Sequence, residues 1–283
     1  MQDSIRKADI LIEALPYLQA FRGKVIVAKY GGSAIDHPVA MRGILHDLVF
    51  LSTVGIRPVL VHGGGPMITR TLEQSGRTTK FVDGMRVTDR HAIRVVHREL
   101  GKVNQRLVTQ IRLLGGRAEG IRPPQEVVVA APHPRADELG FVGSVSAIHT
   151  GPIRLVFLRH AIPVISPVGV GDDGQHYNIN ADDVASEVAA YLRAEKLVLL
   201  TNVRGILRNA RDPQSLVSTA SAKETKRFID RRIVQSGMIP KVNACIHALR
   251  RGVKQTHIID ASIQRALLLE MFTKRGIGTE IVR

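Results

Sequence analysis

The sequence predicts an α/β fold in which helices cover both faces of a mainly parallel central sheet, a three-layer αβα sandwich. Short apolar runs such as 25–28, 58–61 and 197–200 alternate with longer segments of helical periodicity. Twice, at 31–32 and 63–65, glycines join the end of such a run to a helical segment. Strands that are apolar on both faces are typical of parallel sheets, because helices bury both faces of such a sheet.

The periodicity places the elements in order along the chain. An amphipathic helix is predicted over Ile5–Phe21, where Pro16 removes one backbone hydrogen bond and should kink the helix. Further helices are predicted at 38–54, 66–76, 89–114 with an interruption at Gly101, 152–160, 182–193, 240–251 and 265–274, and strands at 25–28, 57–62, 117–121, 126–131, 141–148, 163–168, 197–202 and 257–260. The Gly-Asp-Asp-Gly turn at 171–174 divides an N-terminal lobe, 1–175, from a C-terminal lobe, 176–283, and the two can share one sheet.

Composition restricts the class of protein and its partners. With 283 residues, 44% of them apolar, the chain can bury a large core without disulfides. The single cysteine, Cys245, falls on the apolar face of a predicted helix, so we expect a core thiol in a reducing, cytoplasmic compartment. No apolar run approaches the ~20 residues of a membrane span, and the N-terminus does not resemble a secretory signal.

The charge balance favours anionic partners. The chain has 40 Lys and Arg against 25 Asp and Glu, a formal charge of +15. Nucleic acid is disfavoured as the partner, because Trp is absent and Phe and Tyr number only 7 and 4. Phosphates and acidic metabolites remain.

Lys29 ends the first predicted strand, where open α/β sheets bind their ligands. Gly31 and Gly32 follow and let the backbone approach an anion closely. The second glycine turn, 63–65, precedes Pro66, which suits the first position of a helix, so free backbone N–H groups and the helix dipole favour an anion there as well. This second turn has neither the Walker A nor the GxGxxG pattern. A lysine that reaches solvent beside an ordinary turn is the alternative explanation of the first stretch.

Four further side chains extend this hypothesis. Lys241 falls in the first turn of a predicted helix, where a cation opposes the helix dipole by roughly 0.3–1 kcal/mol unless an anion lies beside it. Asn180 and Asp182 begin another helix, and either they only cap it or the carboxylate also holds the two lysines. Arg86 has the planar fork that suits a substrate carboxylate, although alone it would be a surface arginine.

Six segments together resemble the acetylglutamate kinases of the amino-acid kinase family over nearly the whole chain. They are KYGGSA at 29–34, VHGGGP at 61–66, FVDGMRVTD at 81–89, NINAD at 178–182, GMIPKV at 237–242 and GIGT at 276–279. Each segment is weakly specific alone, but their order is specific. The resemblance implies the amino-acid kinase fold and ATP-dependent phosphorylation of the side-chain carboxylate of N-acetyl-L-glutamate, a step of arginine biosynthesis. Because this carboxylate is ionised at neutral pH, no general base is needed.

The resemblance also assigns roles to individual residues. Lys29 and Lys241 would stabilise the transferring phosphoryl group, and Asp182 would orient both lysines. Backbone N–H groups of the glycines would cradle phosphate, the N-terminal lobe would bind the acylated amino acid, the C-terminal lobe would bind ATP, and Mg²⁺ would come with ATP rather than through protein ligands. The remaining implied sites are the glycines Gly31, Gly32, Gly64 and Gly65, the substrate contacts Arg86 and Asn180, and the nucleotide contacts Asn202, Gly237 and Met238.

The ends of the chain resemble the hexameric, arginine-inhibited branch of this family. The resemblance implies a homo-oligomer, a hexamer assembled as a trimer of dimers through N-terminal helices that pair between dimers, and an arginine site near that helix. Its candidate contacts are Lys196, Glu270 and Gly276.

Some positions depart from the family pattern. Asn202 stands where an aspartate is usual near the nucleotide, Ser33 where Asn is common, and Ser236 where glycine is frequent, while 121–125 lacks the usual Gly-Lys-Asp-Gly loop. These departures bear on nucleotide affinity and on the acyl substrate more than on the lysines. Two alternatives therefore stay open: a kinase for another acylated amino acid, and a non-catalytic regulatory or anion-binding protein on this fold.

Overall fold

The computed structural model describes residues 1–123, 127–273 and 276–283 and, within these ranges, all side chains except those of Asp3, Ser4, Lys7, Ser33, Ala34 and Ser236. The helices are α1 Gln2–Phe21, α2 Pro38–Thr53, α3 Gly65–Gln74, α4 Arg90–Leu113, α5 Ala136–Leu139, α6 Thr150–Leu158, α7 Ala181–Tyr191, α8 Ala222–Asp230, α9 Ile239–Arg250 and α10 Ala266–Phe272. The strands are β1 Val25–Tyr30, β2 Arg57–His62, β3 Phe81–Val82, β4 Met85–Arg86, β5 Ala118–Ile121, β6 Val128–Pro132, β7 Gly143–Ile148, β8 Ile162–Ile165, β9 Val168–Gly171, β10 His176–Asn178, β11 Lys196–Thr201, β12 Thr219–Ser221, β13 Gln255–Asp260 and β14 Thr279–Val282.

The central sheet has eight strands in the order β12-β14-β13-β11-β1-β2-β8-β5. All neighbours in it are parallel except β13 and β14. Strands from both halves of the chain meet where β1 pairs with β11, so one sheet runs through both. A four-stranded sheet, β10-β9-β6-β7, and the β3-β4 hairpin stand apart from it. The predicted three-layer fold with a mainly parallel sheet is therefore confirmed, while a lobe boundary at 175/176 stays a prediction.

The opening strand lies at the centre of this sheet because its residues suit burial on both faces. Ile26, Val27 and Ala28 have no exposed surface. Val27 packs in the core on one side of the sheet, with α7 and α9, whereas Ile26 and Ala28 pack on the other side, with α2 and α10. Lys29 is opposite Val61 of β2 and Leu199 of β11 in the register. The central position explains the continuous apolar run before the lysine.

Two predicted elements were wrong. Helix α4 continues through Gly101 instead of being interrupted there. A glycine inside a helix costs about 1 kcal/mol relative to alanine. The burial of the long apolar face of α4 outweighs this cost. The single strand expected at 163–168 is two strands, β8 and β9, because Ser166 and Pro167 separate them and proline cannot donate to a ladder.

Several elements were not predicted: the β3-β4 hairpin, α5, β10, β12, α8 and β14. Most of them are short, but α8 begins with a capping box formed by Ser221 and Glu224, a sequence signal that was missed. The predicted strand at 126–131 begins with Glu126 and the predicted helix at 265–274 ends with Lys274. Both residues lie outside the described residues.

The interior confirms the expected position of the cysteine thiol. Cys245 is completely buried in the core between α9 and the sheet, and burial raises the pKa of its thiol to about 12. Within the described part of the chain, no helix is long and apolar enough to cross a membrane.

The packing of α4 on β5 provides a test of the fold. A Cβ atom added at Gly120 would overlap the Oδ1 atom of the buried Asn104, whose amide nitrogen is held by the Val164 carbonyl oxygen at 2.8 Å. Gly120→Ala is therefore expected to lower the free energy of unfolding by about 1–3 kcal/mol, measured by urea denaturation.

Gly151 of α6 is the matched control, because a Cβ atom there meets nothing within 4 Å. Gly151→Ala should leave stability unchanged or raise it by about 0.5–1 kcal/mol, since alanine is the better helix former. Equal effects of the two substitutions would contradict the described packing.

Candidate active site

The carboxylate of Asp182 lies between two lysine side chains. Lys29 Nζ is 2.8 Å from Asp182 Oδ1, and Lys241 Nζ is 2.9 Å from Asp182 Oδ2. The side chains of Asp182 and Lys29 are only 4% and 9% exposed, and that of Lys241 is 23% exposed. The structure thus brings together the two lysines and the aspartate that the sequence selected.

Each of these three side chains enters from the carboxyl edge of the sheet. Lys29 is the penultimate residue of β1, while Asp182 and Lys241 lie in the first turns of α7 and α9. Asn180 is the N-cap of α7, and its Oδ1 atom accepts a hydrogen bond from the backbone N–H of Asp182 at 2.9 Å. The capping role considered for Asn180 is therefore confirmed. Pro240 occupies the first turn of α9, as expected.

The charges of this group are coupled. Burial raises the pKa of Asp182, but the charges of Lys29 and Lys241 outweigh that effect and hold the pKa below its usual value. The carboxylate is therefore ionised at neutral pH. It neutralises one of the two cations, so the group keeps one positive charge for an anionic ligand.

The two glycine segments pack against each other beside this group. A Cβ atom at Gly31 would lie 3.1 Å from Lys29 Nζ and 3.3 Å from Gly63 Cα, and one at Gly63 would lie 3.2 Å from Gly31 Cα. Gly32 has φ +69°, a value that favours glycine. Gly64 is the N-cap of α3, so the amino end of that helix faces the same place. A side chain at Gly31 would therefore crowd the Lys29 ammonium, and one at Gly31 or Gly63 would push the two segments apart.

A cavity of 390 Å³ joins these features. The predicted site residues in its wall are Lys29, Gly32, Gly64, Gly65, Arg86, Asn180, Asp182, Gly237 and Lys241. Gly31 and Met238 are not among the residues that line this cavity. A Cβ atom at Gly31 would meet the Lys29 side chain, and Met238, which precedes α9, packs against the core. Asn202 lines a separate cavity of 310 Å³ together with His37 and Asp260. The side chain of Ser33 and that of Ser236 lie outside the described residues.

Arg86 lines the same cavity. Its guanidinium is buried, donates from Nη2 to the Gly65 carbonyl oxygen at 3.0 Å and to Thr69 Oγ1 at 2.8 Å, and lies 4.7 Å from the centre of the Phe81 ring. The other terminal nitrogen, Nη1, is buried without a hydrogen-bond partner among the described residues. A buried unpaired donor is costly, so this nitrogen suits an acidic group of a ligand.

The cavity wall includes residues that sequence reasoning missed. Gly63 belonged to the glycine turn but was not selected, and Asn178 lies two residues before Asn180 in the NINAD segment. Alternation along an extended segment could have indicated Asn178, because residues two apart share a face. His133 comes from the loop after β6, and its neighbours in sequence carry no signal for a site.

A second polar cluster contains the candidate effector residues. Lys196 Nζ is 3.1 Å from His257 Nε2, and His257 Nδ1 is 2.6 Å from Glu270 Oε1. Glu270 Oε2 accepts hydrogen bonds from the backbone N–H groups of Ile277 and Gly278 at 2.7 and 3.2 Å. A Cβ atom at Gly276, which has φ +60°, would lie 2.7 Å from Glu270 Oε2. Lys196, Glu270 and Gly276 are thus neighbours.

His257 and Phe21 complete this cluster and were not predicted. Phe21 ends α1, and its ring centre is 5.5 Å from Lys196 Nζ. In the β1-β11 register, Lys196 is opposite Ile26, and Lys29 is opposite Leu199. Lys196 therefore lies three residues, or about 10 Å along the strands, before the position of Lys29. The cluster therefore lies toward the amino ends of the strands that carry the cavity at their carboxyl ends.

Metal binding by protein ligands was not expected. Among the residues that the structure describes, no group of three or more His, Cys, Asp or Glu side chains is arranged to hold a metal ion. That Mg²⁺ comes with a nucleotide stays a prediction.

A parallel αβα fold with a lysine pair, an ionised aspartate and glycine segments at the carboxyl edge defines a class of phosphoryl-transfer enzymes. The model of the amino acid kinase family matches residues 24–260. The chain belongs to the amino acid kinase family and is a kinase.

Individual relatives agree with this family. An acetylglutamate kinase from Desulforamulus reducens is 44% identical over 285 residues, which cover 100% of this chain and 99% of the relative. The crystal structure of N-acetylglutamate synthase from Neisseria gonorrhoeae, complexed with coenzyme A and N-acetyl-glutamate, has a TM-score of 0.87 at 28% identity over 98% of this chain and 63% of that chain. The same synthase complexed with coenzyme A and L-arginine has a TM-score of 0.82 at 28% identity, over 97% of this chain and 65% of that chain.

The ion pairs of Asp182 predict a loss of stability when its charge is removed. Asp182→Asn leaves the buried Lys29 without an anionic partner, so the free energy of unfolding at pH 7 should fall by about 3–5 kcal/mol. In the wild type, the pKa of Asp182 is lower in the folded state than in the unfolded state. The ionised carboxylate therefore adds fully to the free energy of unfolding above the unfolded pKa of about 3.9. This stabilisation is lost as the pH falls through the folded-state pKa. Urea denaturation across a pH series measures both effects.

The adjacent Asp183 is the control. Burial and the neighbouring charge of Asp182 raise the pKa of Asp183 to about 6, so ionisation of Asp183 disfavours folding as pH rises from about 4 to 6. Asp183→Asn should therefore leave stability at pH 7 unchanged or slightly increased. A loss as large as that of Asp182→Asn would contradict the assigned ion pairs.

Proposed function

We propose that this kinase transfers the γ-phosphoryl group of ATP to the side-chain carboxylate of N-acetyl-L-glutamate, the acetylglutamate kinase step of arginine biosynthesis. The buried group of Asp182 with Lys29 and Lys241 carries the proposal. Support also comes from the name acetylglutamate kinase of the relative at 44% identity and from the N-acetyl-glutamate bound to the similar synthase structure.

The chemistry needs positioning and charge more than proton transfer. A carboxylate oxygen of the substrate attacks the γ-phosphorus, the bond from that phosphorus to the bridging oxygen breaks, and ADP leaves with the bond electrons. The attacking carboxylate is already ionised, so no side chain has to remove a proton. Lys29 and Lys241 stabilise the charge on the transferring group, and backbone N–H groups at Gly32, Gly64 and Gly65 contribute further donors.

The acylated amino acid is assigned to the part of the cavity that Arg86 lines. The free Nη1 atom of Arg86 suits the α-carboxylate of the substrate, and Asn180 and Asn178 line the same cavity. The apolar side chains of Ile68, Phe81 and Leu100 line the same cavity and suit the carbon chain and the acetyl group.

The nucleotide is assigned to the C-terminal half. Gly237 lines the cavity beside Lys241, Met238 precedes α9, and Asn202 lies at the carboxyl end of β11. In this proposal 1–175 binds the acylated amino acid and forms the oligomer, 176–283 binds ATP, and Mg²⁺ comes with the phosphates to neutralise their charge. The buried Cys245 thiol suits a reducing, cytoplasmic environment.

Loss of either lysine should affect the chemical step more than binding. Lys29→Ala and Lys241→Ala are each expected to lower kcat by about 10²–10³-fold, with a smaller rise in KM, because the lysines act on charge that develops in the transition state. The measurement is ADP release that depends on acetylglutamate and Mg-ATP, with a panel of other acylated amino acids as competing substrates.

Lys254→Ala is the control for these variants, since Lys254 is exposed and pairs with Glu195 outside the cavity. It should keep the wild-type kcat. No activity of the wild type with acetylglutamate, or full activity of both cavity variants, would refute the proposal, and a strong preference for another acylated amino acid would reassign the substrate.

We infer further that arginine inhibits the enzyme through the cluster of Lys196, Glu270 and Gly276. The carboxylate of Glu270 suits a guanidinium and the ammonium of Lys196 suits a carboxylate, and the cluster adjoins the end of α1 through Phe21. The similar synthase structure with L-arginine supports an arginine site on this fold.

The surface of α1 supports the proposed homo-oligomer, a hexamer assembled as a trimer of dimers. Ile5, Ile10, Leu11, Ile12 and Leu15 of this helix are 43–67% exposed in the single chain. Such a group of large apolar side chains suits burial against a second copy.

Glu270→Gln tests the arginine site. The amide oxygen still accepts the hydrogen bonds of Ile277 and Gly278, but the negative charge is lost. The arginine concentration for half inhibition should rise about tenfold or more, because hydrogen bonds to charged groups contribute roughly 1.5–3 kcal/mol.

Glu119→Gln, which changes an acidic residue paired with Arg159 on the edge strand β5, is the matched control and should keep the wild-type inhibition. A wild-type rate unchanged by millimolar arginine would reject the inhibition, and an unchanged response of Glu270→Gln would reject this site.

A further inference from the structure

His62 lies beneath the second glycine segment, 63–65, and is not among the residues that line the cavity. It ends β2, has no exposed surface, and directly precedes Gly63. The proposed mechanism gives it no chemical role, although its imidazole is the titratable group adjacent in sequence to the phosphate-binding backbone. Its hydrogen bonds show what it does for that backbone.

The contacts of the ring determine its tautomer. His62 Nδ1 is 2.9 Å from the carbonyl oxygen of Gly63, which can only accept, so Nδ1 carries the proton. His62 Nε2 is 3.0 Å from Ser166 Oγ and 3.2 Å from Asn104 Nδ2, both of which can donate to it. Burial lowers the pKa of His62 to about 4, so the ring is neutral at physiological pH.

This hydrogen bond orients one peptide group of the loop. In a trans peptide the carbonyl and the following N–H point in opposite directions. Because the carbonyl of Gly63 points to the buried ring, the N–H of Gly64 is directed away from it, to the side of the cavity that Gly63 and Gly64 line. Gly64 and Gly63 have no side chains to restrict rotation of this peptide group, so the ring supplies the restraint.

The ring is itself held from two other elements. Asn104 of α4 donates from Nδ2 to the Val164 carbonyl oxygen at 2.8 Å and lies 3.2 Å from Ser166 Oγ. Ser166 follows β8, and its backbone N–H donates to Ile121 of β5 at 3.0 Å. The orientation of the imidazole thus rests on a helix and two strands.

We propose that His62 is a positioning residue that, as the Nδ1–H tautomer, fixes the Gly63–Gly64 peptide so that the Gly64 N–H faces the transferring phosphoryl group. The proposal rests on the proposed kinase reaction for the identity of that group. It assigns to His62 no proton transfer and no contact with substrate.

Two amide variants separate the two sides of the ring. The amide nitrogen of Asn reaches the place of Nδ1 and can still donate to the Gly63 carbonyl, whereas the amide of Gln reaches the place of Nε2 and cannot. His62→Gln should lower kcat about ten- to hundredfold, somewhat less than the 10²–10³-fold typical of deleting one transition-state donor, with KM for ATP and acetylglutamate changed little. His62→Asn should recover most of that loss.

Asn is one methylene smaller than Gln and leaves the larger cavity at this buried position, so a merely structural role predicts that His62→Asn loses at least as much activity as His62→Gln. Equal loss in both variants, or full activity of His62→Gln, would overturn the proposal. Urea denaturation of each variant establishes that it is folded under the assay conditions.

A spectroscopic measurement on the wild type tests the same proposal without relying on folded variants. Imidazole ¹⁵N chemical shifts should show His62 as the neutral Nδ1–H tautomer between pH 6 and 8. An Nε2–H tautomer or a charged ring would overturn the proposal. This result does not depend on the substrate, so it stays distinguishable from failure of the kinase assay, which would refute the proposed function.

Discussion

The site depends on the ionised carboxylate of Asp182 between two lysines. Two ammonium groups at one edge of a sheet repel each other, and Lys29 is nearly buried. Asp182 reduces that repulsion and satisfies both cations with one anion. Breaking either pair would leave a buried charge uncompensated. The same carboxylate joins β1, α7 and α9, three segments that are far apart in sequence, so the geometry of catalysis and the packing of the two halves share one interaction.

The sequence contained most of this information in local form. Lys29 after an apolar run, Lys241 after Pro240 and Asp182 after Asn180 each stand at the end or beginning of an element. Parallel strands bring such positions to one edge of a sheet. Some short strands could not be predicted in this way, because β3, β10 and β12 are only two or three residues long. The contribution of His133 to the cavity wall could not be predicted either, because this residue comes from a loop. The predicted interruption of the helix at Gly101 was wrong, because burial of the apolar face of α4 outweighs the cost of one glycine.

The same central strands connect the two polar clusters. β11 begins with Lys196 in the second cluster and pairs along its length with β1, which carries Lys29 toward its other end. Core strands are stiff, so the strands themselves are poor candidates for a change of shape. The neighbouring α10, which provides Glu270, packs on α2 and α1 and also contacts β13. The second cluster therefore joins the helical layer on this side to the central sheet.

Charge explains why the site needs glycines as well as lysines. After Asp182 has neutralised one ammonium, the group of Asp182 and the two lysines retains a single positive charge. A second fixed cation beside Lys29 would add repulsion in the absence of ligand, whereas backbone N–H groups offer partial charges that require no counter-ion. Their value depends on direction, because a peptide dipole favours an anion only when the N–H points to it. In the proposed reaction, buried groups that hold peptide orientation therefore complement the two lysines.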